Sequence, residues 1–350
     1  MLARFLALMA LLGLAACGGP ERGEGERREP AAATRGLDAA TMDRTVEAAR
    51  QLPRLRALIV LRHGETLAEH RFNDGPPLDQ PVNVKSASKS ILSALIGIAI
   101  DKGVLEGVDQ PLLSVLRDDA PPNPDPRLRQ VTVDHLLSMR AGLERTSGPY
   151  YGQWVSSPNW VRHALSRPFV AEPGGPMLYS TGSSHLLSAM LTRASGRSTH
   201  ALAVEWLGEP LGIRIPEWTR DPQGIYLGGN EMQLSPRALA RFGELYRNQG
   251  RVGARQVIPE DWIEQSWTPR TVSPWSGNAY GYGWFLTGIG GHPVRFGWGY
   301  GGQMVYVVPD LELTVVMTSD SGVARDRGHI LALHRLLAQG IIPAAEKSGS

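Results

Sequence analysis

Ser86-Ala87-Ser88-Lys89-Ser90-Ile91-Leu92-Ser93-Ala94-Leu95-Ile96-Gly97-Ile98 is the stretch on which the reading of this 350-residue chain turns. Ile91, Leu92, Leu95 and Ile98 recur at helical spacing, and Gly103 follows as a stop, so the pattern predicts a helix from Ser86 to Lys102. Three residues apart at a helix start, Ser86 and Lys89 fall on one face, whereas Ser88 does not share it. A lysine desolvated there loses part of its preference for charge and can accept or relay the serine proton. The helix N-terminus also directs free backbone N–H groups at the serine. A Ser-x-x-Lys match arises often by chance, and an exposed surface pair would read the same. What raises it is the small-residue start and the strongly apolar helix behind it.

Two further groups are compatible with the same chemistry. Tyr179-Ser180-Thr181-Gly182 stands just before a helical stretch at 183–194 and follows Pro173-Gly174-Gly175-Pro176. A tyrosine there is either a buried ring with a satisfied hydroxyl or a side chain positioned on a rigid loop. Beside a cationic lysine its ionised form would be favoured, which suits a proton shuttle. Trp298-Gly299-Tyr300-Gly301-Gly302-Gln303 heads a strand. Its glycines permit close approach of substrate, and the Tyr300 N–H could supply half of an oxyanion hole; a glycine-rich bend between strands is the plainer alternative.

Outward from these groups, the pattern predicts a helix over 38–52, an apolar strand at Ala57–Leu61 and a returning strand over 66–72. Between about 107 and 253 helical stretches alternate with Pro/Gly-rich connections, among them 133–139 and a helix capped by Ser235-Pro236. After Tyr280 the period becomes that of strands: 282–286, 294–298, 303–308 and 313–318, then a helix over 326–337. Strands at both ends with helices between them predict an α+β fold, an antiparallel β-sheet flanked by helices with an inserted, mostly helical lobe.

The first residues place one positive charge, Arg4, before an apolar run from Phe5 to Ala16 that ends Leu14-Ala15-Ala16-Cys17. The run is short for a membrane span and fits an export signal. Its end resembles a bacterial lipobox, which implies lipidation at Cys17. Cys17 is the only cysteine, so neither a disulfide nor a cysteine nucleophile is available to the rest of the chain. Residues 17–36 are charged, Gly- and Pro-rich and nearly devoid of apolar side chains, which reads as a flexible tether. A formal charge of +2 without a basic, aromatic-interleaved stripe argues against a nucleic-acid partner.

Taken together, these motifs resemble the serine beta-lactamase-related family, which includes class C beta-lactamases, DD-peptidases, esterases and 6-aminohexanoate-dimer hydrolases. The likeness spans about Leu55 to Leu337 and includes Ser86-Ala-Ser-Lys89, Val131 to Leu143, Glu172 to Gly182, Gly228-Gly229, Ser235 to Gly243, Tyr280 to Trp284 and Gly299 to Gln303. It implies a serine acylated at Ser86, proton handling by Lys89 and Tyr179, and oxyanion donors at the backbone N–H groups of Ser86 and Tyr300. It implies no cofactor and no metal. The expected layout is a signal peptide at 1–16, a tether at 17–36, a catalytic domain at 37–340 and a flexible tail at 341–350. Within the domain, a sheet lobe takes 37–85 and 277–340, and a helical lobe takes 86–276. Gly18 lacks the acidic residue associated with inner-membrane retention, so the resemblance favours the periplasmic face of the outer membrane.

Two departures shape the substrate expectation. Class C beta-lactamases usually carry Tyr-x-Asn where this chain has Thr181, and a Lys-Thr-Gly where it has Trp298-Gly299-Tyr300. Without that lysine a substrate carboxylate loses its partner, which favours a carboxylic ester or linear amide over a beta-lactam. Beta-lactam or DD-carboxypeptidase activity is the alternative, and a non-catalytic lipoprotein binding peptidoglycan or a protein is the other. Tyr150, Tyr151, Thr181, Gly229, Trp298 and Gly301 are the substrate-binding candidates. Among Tyr150, Tyr151, Trp154, Trp275, Trp284 and Trp298, some rings are expected to line a cleft and others to lie in the core. Arg62-His63-Gly64 resembles a histidine-phosphatase motif, but the alternation after Thr66 suits a hairpin with His63 in its turn. No His-Glu-x-x-His and no G-x-S-x-G occurs, which argues against a zinc hydrolase and an α/β-hydrolase. His135 is expected to support its own helix.

Overall fold

In the computed structural model, residues 36–324 and 326–348 are described. Cys17, the signal segment and nearly all of the tether lie outside them. Strands β1 (Leu55–Arg62) and β2 (Glu65–Arg71) form the N-terminal hairpin. Later come the short pairs β3 (Val82–Asn83) with β4 (Gln233–Leu234) and β5 (Arg251–Val252) with β6 (Arg255–Gln256). Then follow β7 (Thr271–Val272), β8 (Ala279–Tyr280), β9 (Phe285–Ile289), β10 (His292–Gly299), β11 (Gln303–Val308) and β12 (Leu313–Ser319). Eight of them make one sheet in the order β2-β1-β12-β11-β10-β9-β8-β7, antiparallel throughout. The N-terminal hairpin therefore closes on the last strand, as the α+β expectation requires.

The central strands are mostly apolar and buried along nearly their whole length because both faces are covered. Ile59, Leu61, Val305 and Val316 join a core with the helices Ser88–Asp101 and Pro236–Arg247. Leu58, Val60, Met304, Val315 and Met317 face the opposite layer, formed by Ala39–Arg50 and the C-terminal helices. Ser88–Asp101 is apolar on almost every side and buried from Ser88 to Ala99, the mark of a helix walled in on all faces. It also packs on Thr181–Ser195, so it is the wall shared by the sheet and the helical region.

The expected tail at 341–350 is corrected by the structure. Helix Arg327–Leu336 continues through a wider turn at Leu337–Ile341 into a further helix, Ile342–Lys347. Ile341, Ile342, Ala344 and Ala345 are buried, and Asp38 N donates to Ala344 O at 2.8 Å. Pro343, which has no N–H to donate, directly follows that wider turn, as the second residue of the further helix. Arg62, the arginine of the phosphatase-like motif, spans this region: Nη1 donates to Gly36 O and, at 2.8 Å, to Ala345 O. His63 occupies the β1–β2 turn at φ 52°, as the hairpin reading expects.

Candidate active site

Ser86 sits one step ahead of its helix, on a tight 3₁₀ turn, Lys85–Ala87, with the α-helix beginning at Ser88. The predicted helix start is thus off by two residues, and the reason is local. Lys85 adopts φ 51°, a left-handed conformation that costs a non-glycine residue about 1–2 kcal/mol. Lys85 N donates to Asn83 Oδ1 at 2.8 Å, and Ser88 Oγ donates to Lys85 O at 2.5 Å. Lys85 Nζ pairs with Glu231 at 3.2 Å, and Asn83 Nδ2 reaches the same carboxylate at 2.9 Å. Together with the β3–β4 pairing, these bonds fasten the segment before Ser86 to the segment after Gly229. Ser86 and Lys85 remain partly exposed, while Val84 and the residues from Ala87 to Ser90 are buried.

One turn on, Lys89 is 3% exposed. Its Nζ stands 3.3 Å from Ser86 Oγ, 2.7 Å from Gly229 O and 3.4 Å from Thr181 Oγ1. All three are neutral oxygens. Burial in this setting lowers the amine to about 7, so a large share of it is neutral at physiological pH. Gly229 has φ 71°, and a Cβ there would lie 2.5 Å from Ser184 Oγ and 2.7 Å from Lys89 Cγ. Only glycine lets this carbonyl reach the lysine.

Tyr179 completes the group. Its hydroxyl lies near enough to Ser86 to feel it, and its ring centroid is 4.9 Å from Lys89 Nζ. The direction of its shift corrects the expectation that a neighbouring cation favours phenolate. Burial pushes the phenol up to about 12, and the nearby Ser86 hydroxyl offsets only part of that. The lysine is itself shifted toward neutrality and supplies no lasting positive charge. Tyr179 therefore holds its proton at neutral pH.

The remaining candidates divide. Thr181 Oγ1 faces Lys89 and lies 3.0 Å from Ser147 Oγ, while Thr181 N donates to Ser147 Oγ at 2.8 Å. Ser147 carries no sequence signal, since it meets Thr181 only in three dimensions. Tyr151 reaches the loop beyond Gly229, its hydroxyl accepting from Asn230 Nδ2 at 3.2 Å. Tyr150 instead lies under the Arg167 guanidinium at 5.3 Å. Trp298 joins an aromatic cluster, tilted against Phe285 at 5.5 Å and edge-on to His334 at 6.4 Å. Gly301, at φ 81°, forms the bend after β10, where a Cβ would meet Ser321 Cα at 2.8 Å. A Cβ on Gly299 would collide with Val84 O and lie 3.1 Å from Lys85 Cβ, so the end of β10 lies directly against the Ser86 turn. Tyr300 follows with its side chain exposed. Trp154 and Trp284 are core residues, and Trp275 is exposed.

Behind the site, His185 and Asp221 form a wholly buried pair at 3.1 Å. Gly228 N donates to His185 Nδ1 at 3.3 Å, which leaves Nε2 to donate to Asp221. Asp221 Oδ1 also accepts from Gln223 N and Ile225 N, at 2.9 and 2.8 Å. This clamp holds the loop that delivers Gly229 O. His135 serves its own helix, Val133–Leu137, accepting from Thr132 N at 3.3 Å. Among the described residues, no cluster of His, Cys, Asp or Glu could hold a metal ion. A cavity of about 620 Å³ lies elsewhere, lined by Leu61, Glu69, Arg237 and Arg247 among others, with Arg237 already paired to Glu69 and Arg247 to Glu244.

An antiparallel sheet backed by helices, with a Ser-x-x-Lys turn facing a tyrosine, defines a beta-lactamase/transpeptidase-like fold. Residues 42–339 match the family described as beta-lactamase, and the chain belongs to it. Among solved structures, EstCE1, described as a hydrolase with promiscuous acyltransferase activity, superposes with a TM-score of 0.71 at 16% identity, over 85% of this chain and 99% of that one. A Bacillus anthracis protein provisionally named a 6-aminohexanoate-dimer hydrolase gives 0.69 at 18% identity, over 84% and 80%. A D-stereospecific amidohydrolase from Streptomyces sp. gives 0.66 at 19% identity, over 84% and 97%. At such identities the likeness speaks for the fold.

Proposed function

We propose that this chain is a serine hydrolase that cleaves a carboxylic ester or linear amide through an acyl-enzyme on Ser86. The observation that carries the reading is Lys89: a buried amine held near neutrality, 3.3 Å from the Ser86 hydroxyl. Ser86 Oγ bonds to the substrate carbonyl carbon as its proton passes to the Lys89 lone pair. The carbonyl electrons move onto oxygen, which the N–H groups of Ser86 and Tyr300 stabilise. Collapse breaks the bond to the leaving oxygen or nitrogen, which takes the Tyr179 hydroxyl proton, and Tyr179 recovers one from Lys89. Water then repeats the sequence and releases the acid. Thr181 and Gly229 hold the lysine, and Tyr151 and the Gly301 bend border the site.

The neighbouring hydrolases and amidohydrolase support the general class. A beta-lactam preference is disfavoured because Trp298 occupies the third-motif lysine position and Lys85 is committed to Glu231. The test is covalent labelling by a fluorophosphonate, located by mass spectrometry, with turnover of p-nitrophenyl acetate, a short linear amide, a D-Ala-D-Ala peptide and nitrocefin. Label on Ser86 and its loss in Ser86→Ala are expected, with turnover falling on the order of 10⁴- to 10⁶-fold. Efficient nitrocefin turnover with negligible ester or amide hydrolysis would reverse the substrate assignment. A wild-type chain that neither labels nor turns over any substrate would be a binding lipoprotein instead. We also propose a lipid anchor at Cys17 holding the enzyme at the outer membrane. Cys17→Ser is expected to abolish the acylated mass, and a soluble, unacylated wild-type chain would refute the anchor.

A further inference from the structure

We infer that Trp275 forms the wall of a leaving-group subsite that selects flat, aromatic alcohols or amines. This rests on the reading of Tyr179 as the group that returns a proton to the departing atom. The indole is 42% exposed, an unfavourable setting for so large an apolar surface. It is nevertheless held firmly. It stands in the connection from β7 to β8, where Ser273 N donates to Asn278 O and Gly277 N to Ser273 O, both at 2.9 Å. Ser276 N donates to Ser273 Oγ at 3.3 Å, and Ser273 itself is buried. The ring lies edge-on to Tyr179, with centroids 5.3 Å apart and planes at 86°. Tyr280, fully buried, braces the same phenol at 6.4 Å.

Position determines which part of the substrate the indole can meet. At the moment of bond cleavage the leaving atom sits at the Tyr179 hydroxyl, because that hydroxyl donates to it. A substituent on that atom that extends along the flank of the phenol runs onto Trp275. The acyl chain is attached to the carbonyl carbon at Ser86, and it need not follow that path. An aromatic leaving group would pack on the indole with the offset or edge-to-face geometry that rings prefer.

The experiment compares wild type, Trp275→Ala and Trp275→Phe on benzyl acetate and ethyl acetate, which deposit the same acetyl group on Ser86. Acetyl-enzyme hydrolysis and the preference among p-nitrophenyl acetate, butyrate and octanoate are measured in parallel. Trp275→Ala is expected to lower kcat/KM about five- to tenfold for the benzyl ester relative to the ethyl ester. Trp275→Phe should recover part of that loss, with the deacylation rate and acyl-chain preference unchanged. Equal losses on both alcohols, no loss on either, or a changed deacylation rate or acyl preference would overturn the assignment. Failure of fluorophosphonate to label Ser86 in the wild type would remove the parent reading and this one together. Normal labelling with equal losses would remove this one alone.

Discussion

The N-terminal half of the Thr181–Ser195 helix borders two buried basic side chains, Lys89 at Thr181 and His185 one turn further on. The first has only neutral hydrogen-bond acceptors, Ser86, Thr181 and the Gly229 carbonyl. The second has a carboxylate, and that carboxylate is itself saturated by two backbone N–H groups. Both are buried, but their polar surroundings differ. Around His185 every polar group finds a fixed partner, and the pair serves as architecture. Around Lys89 the charged form goes uncompensated, and the amine is left reactive near pH 7. Withholding an anion from a buried cation destabilises the fold locally, and the proposed proton transfer from Ser86 would draw on that imbalance.

The largest expected effect comes from breaking the Lys89 side of this contrast. Lys89→Met should slow acylation by on the order of 10²–10⁴-fold while making the protein more stable at pH 7, by about 2–4 kcal/mol. The sign follows from linkage. With the native amine near 7 and the unfolded one near 10.5, the unfolded chain binds more protons between those values. Wild-type stability should therefore rise as pH climbs from about 7 to 10.5, and the variant should lack that slope. In the wild type, kcat/KM should fall below about pH 7 as the lysine takes up its proton. Denaturant titrations across this pH range and a pH–rate profile check both statements. A variant less stable than wild type at pH 7 would contradict them.

Tyr179→Phe keeps the ring beside Trp275 and Tyr280 and removes only the hydroxyl. Turnover is expected to fall by on the order of 10²–10³-fold with little change in Tm. A basic limb near pH 10 that disappears in the variant would instead mean that the phenol titrates in its ordinary range.

The His185 side should respond in stability first. Asp221→Ala strands the Gln223 and Ile225 N–H groups and the His185 ring, at a cost of about 3–5 kcal/mol. Asp221→Asn keeps an acceptor and should recover part of it, as chemical denaturation would show. The smallest effect is expected at Ser88. Its hydroxyl donates to Lys85 O and accepts from Met232 N at 3.3 Å. Ser88→Ala should cost about 1–2 kcal/mol yet leave most ester turnover intact. Loss of fluorophosphonate labelling in Ser88→Ala, with retention in Ser86→Ala, would move the nucleophile.

What could be read in advance follows from how local each signal is. Ser86 and Lys89 lie within one turn, and Tyr179 stands in a glycine-rich approach to a helix, so sequence spacing sufficed to nominate them. The central strands were nearly as plain because they are mostly apolar runs between turn residues, whereas the strand expected at 282–286 is a bend over 281–284 followed by the start of β9 at Phe285. Ser147 and the His185–Asp221 pair left no such trace, since their partners lie 34 and 36 positions away. The shift of Tyr179 was misjudged because proximity to a lysine is visible in a motif and the depth of burial is not. The C-terminal helix was missed for a related reason. The face formed by Ile341, Ile342, Ala344 and Ala345 matters only once the Ala39–Arg50 helix is there to receive it.

The Arg62 clasp has a consequence for geometry at a larger scale. Arg62 pairs with Leu313 at one end of β1, and Leu55 with Ser319 at the other. Gln303 bonds Ser319, and its strand partner Gly299 abuts the Ser86 turn. Gly36 and Ala345, both held by Arg62, therefore sit at the end of the sheet opposite the nucleophile, roughly 20 Å along the strands. If the proposed anchor at Cys17 holds, the attachment meets the fold at that far corner, beside β1 and the C-terminal helix, and not at Ser86.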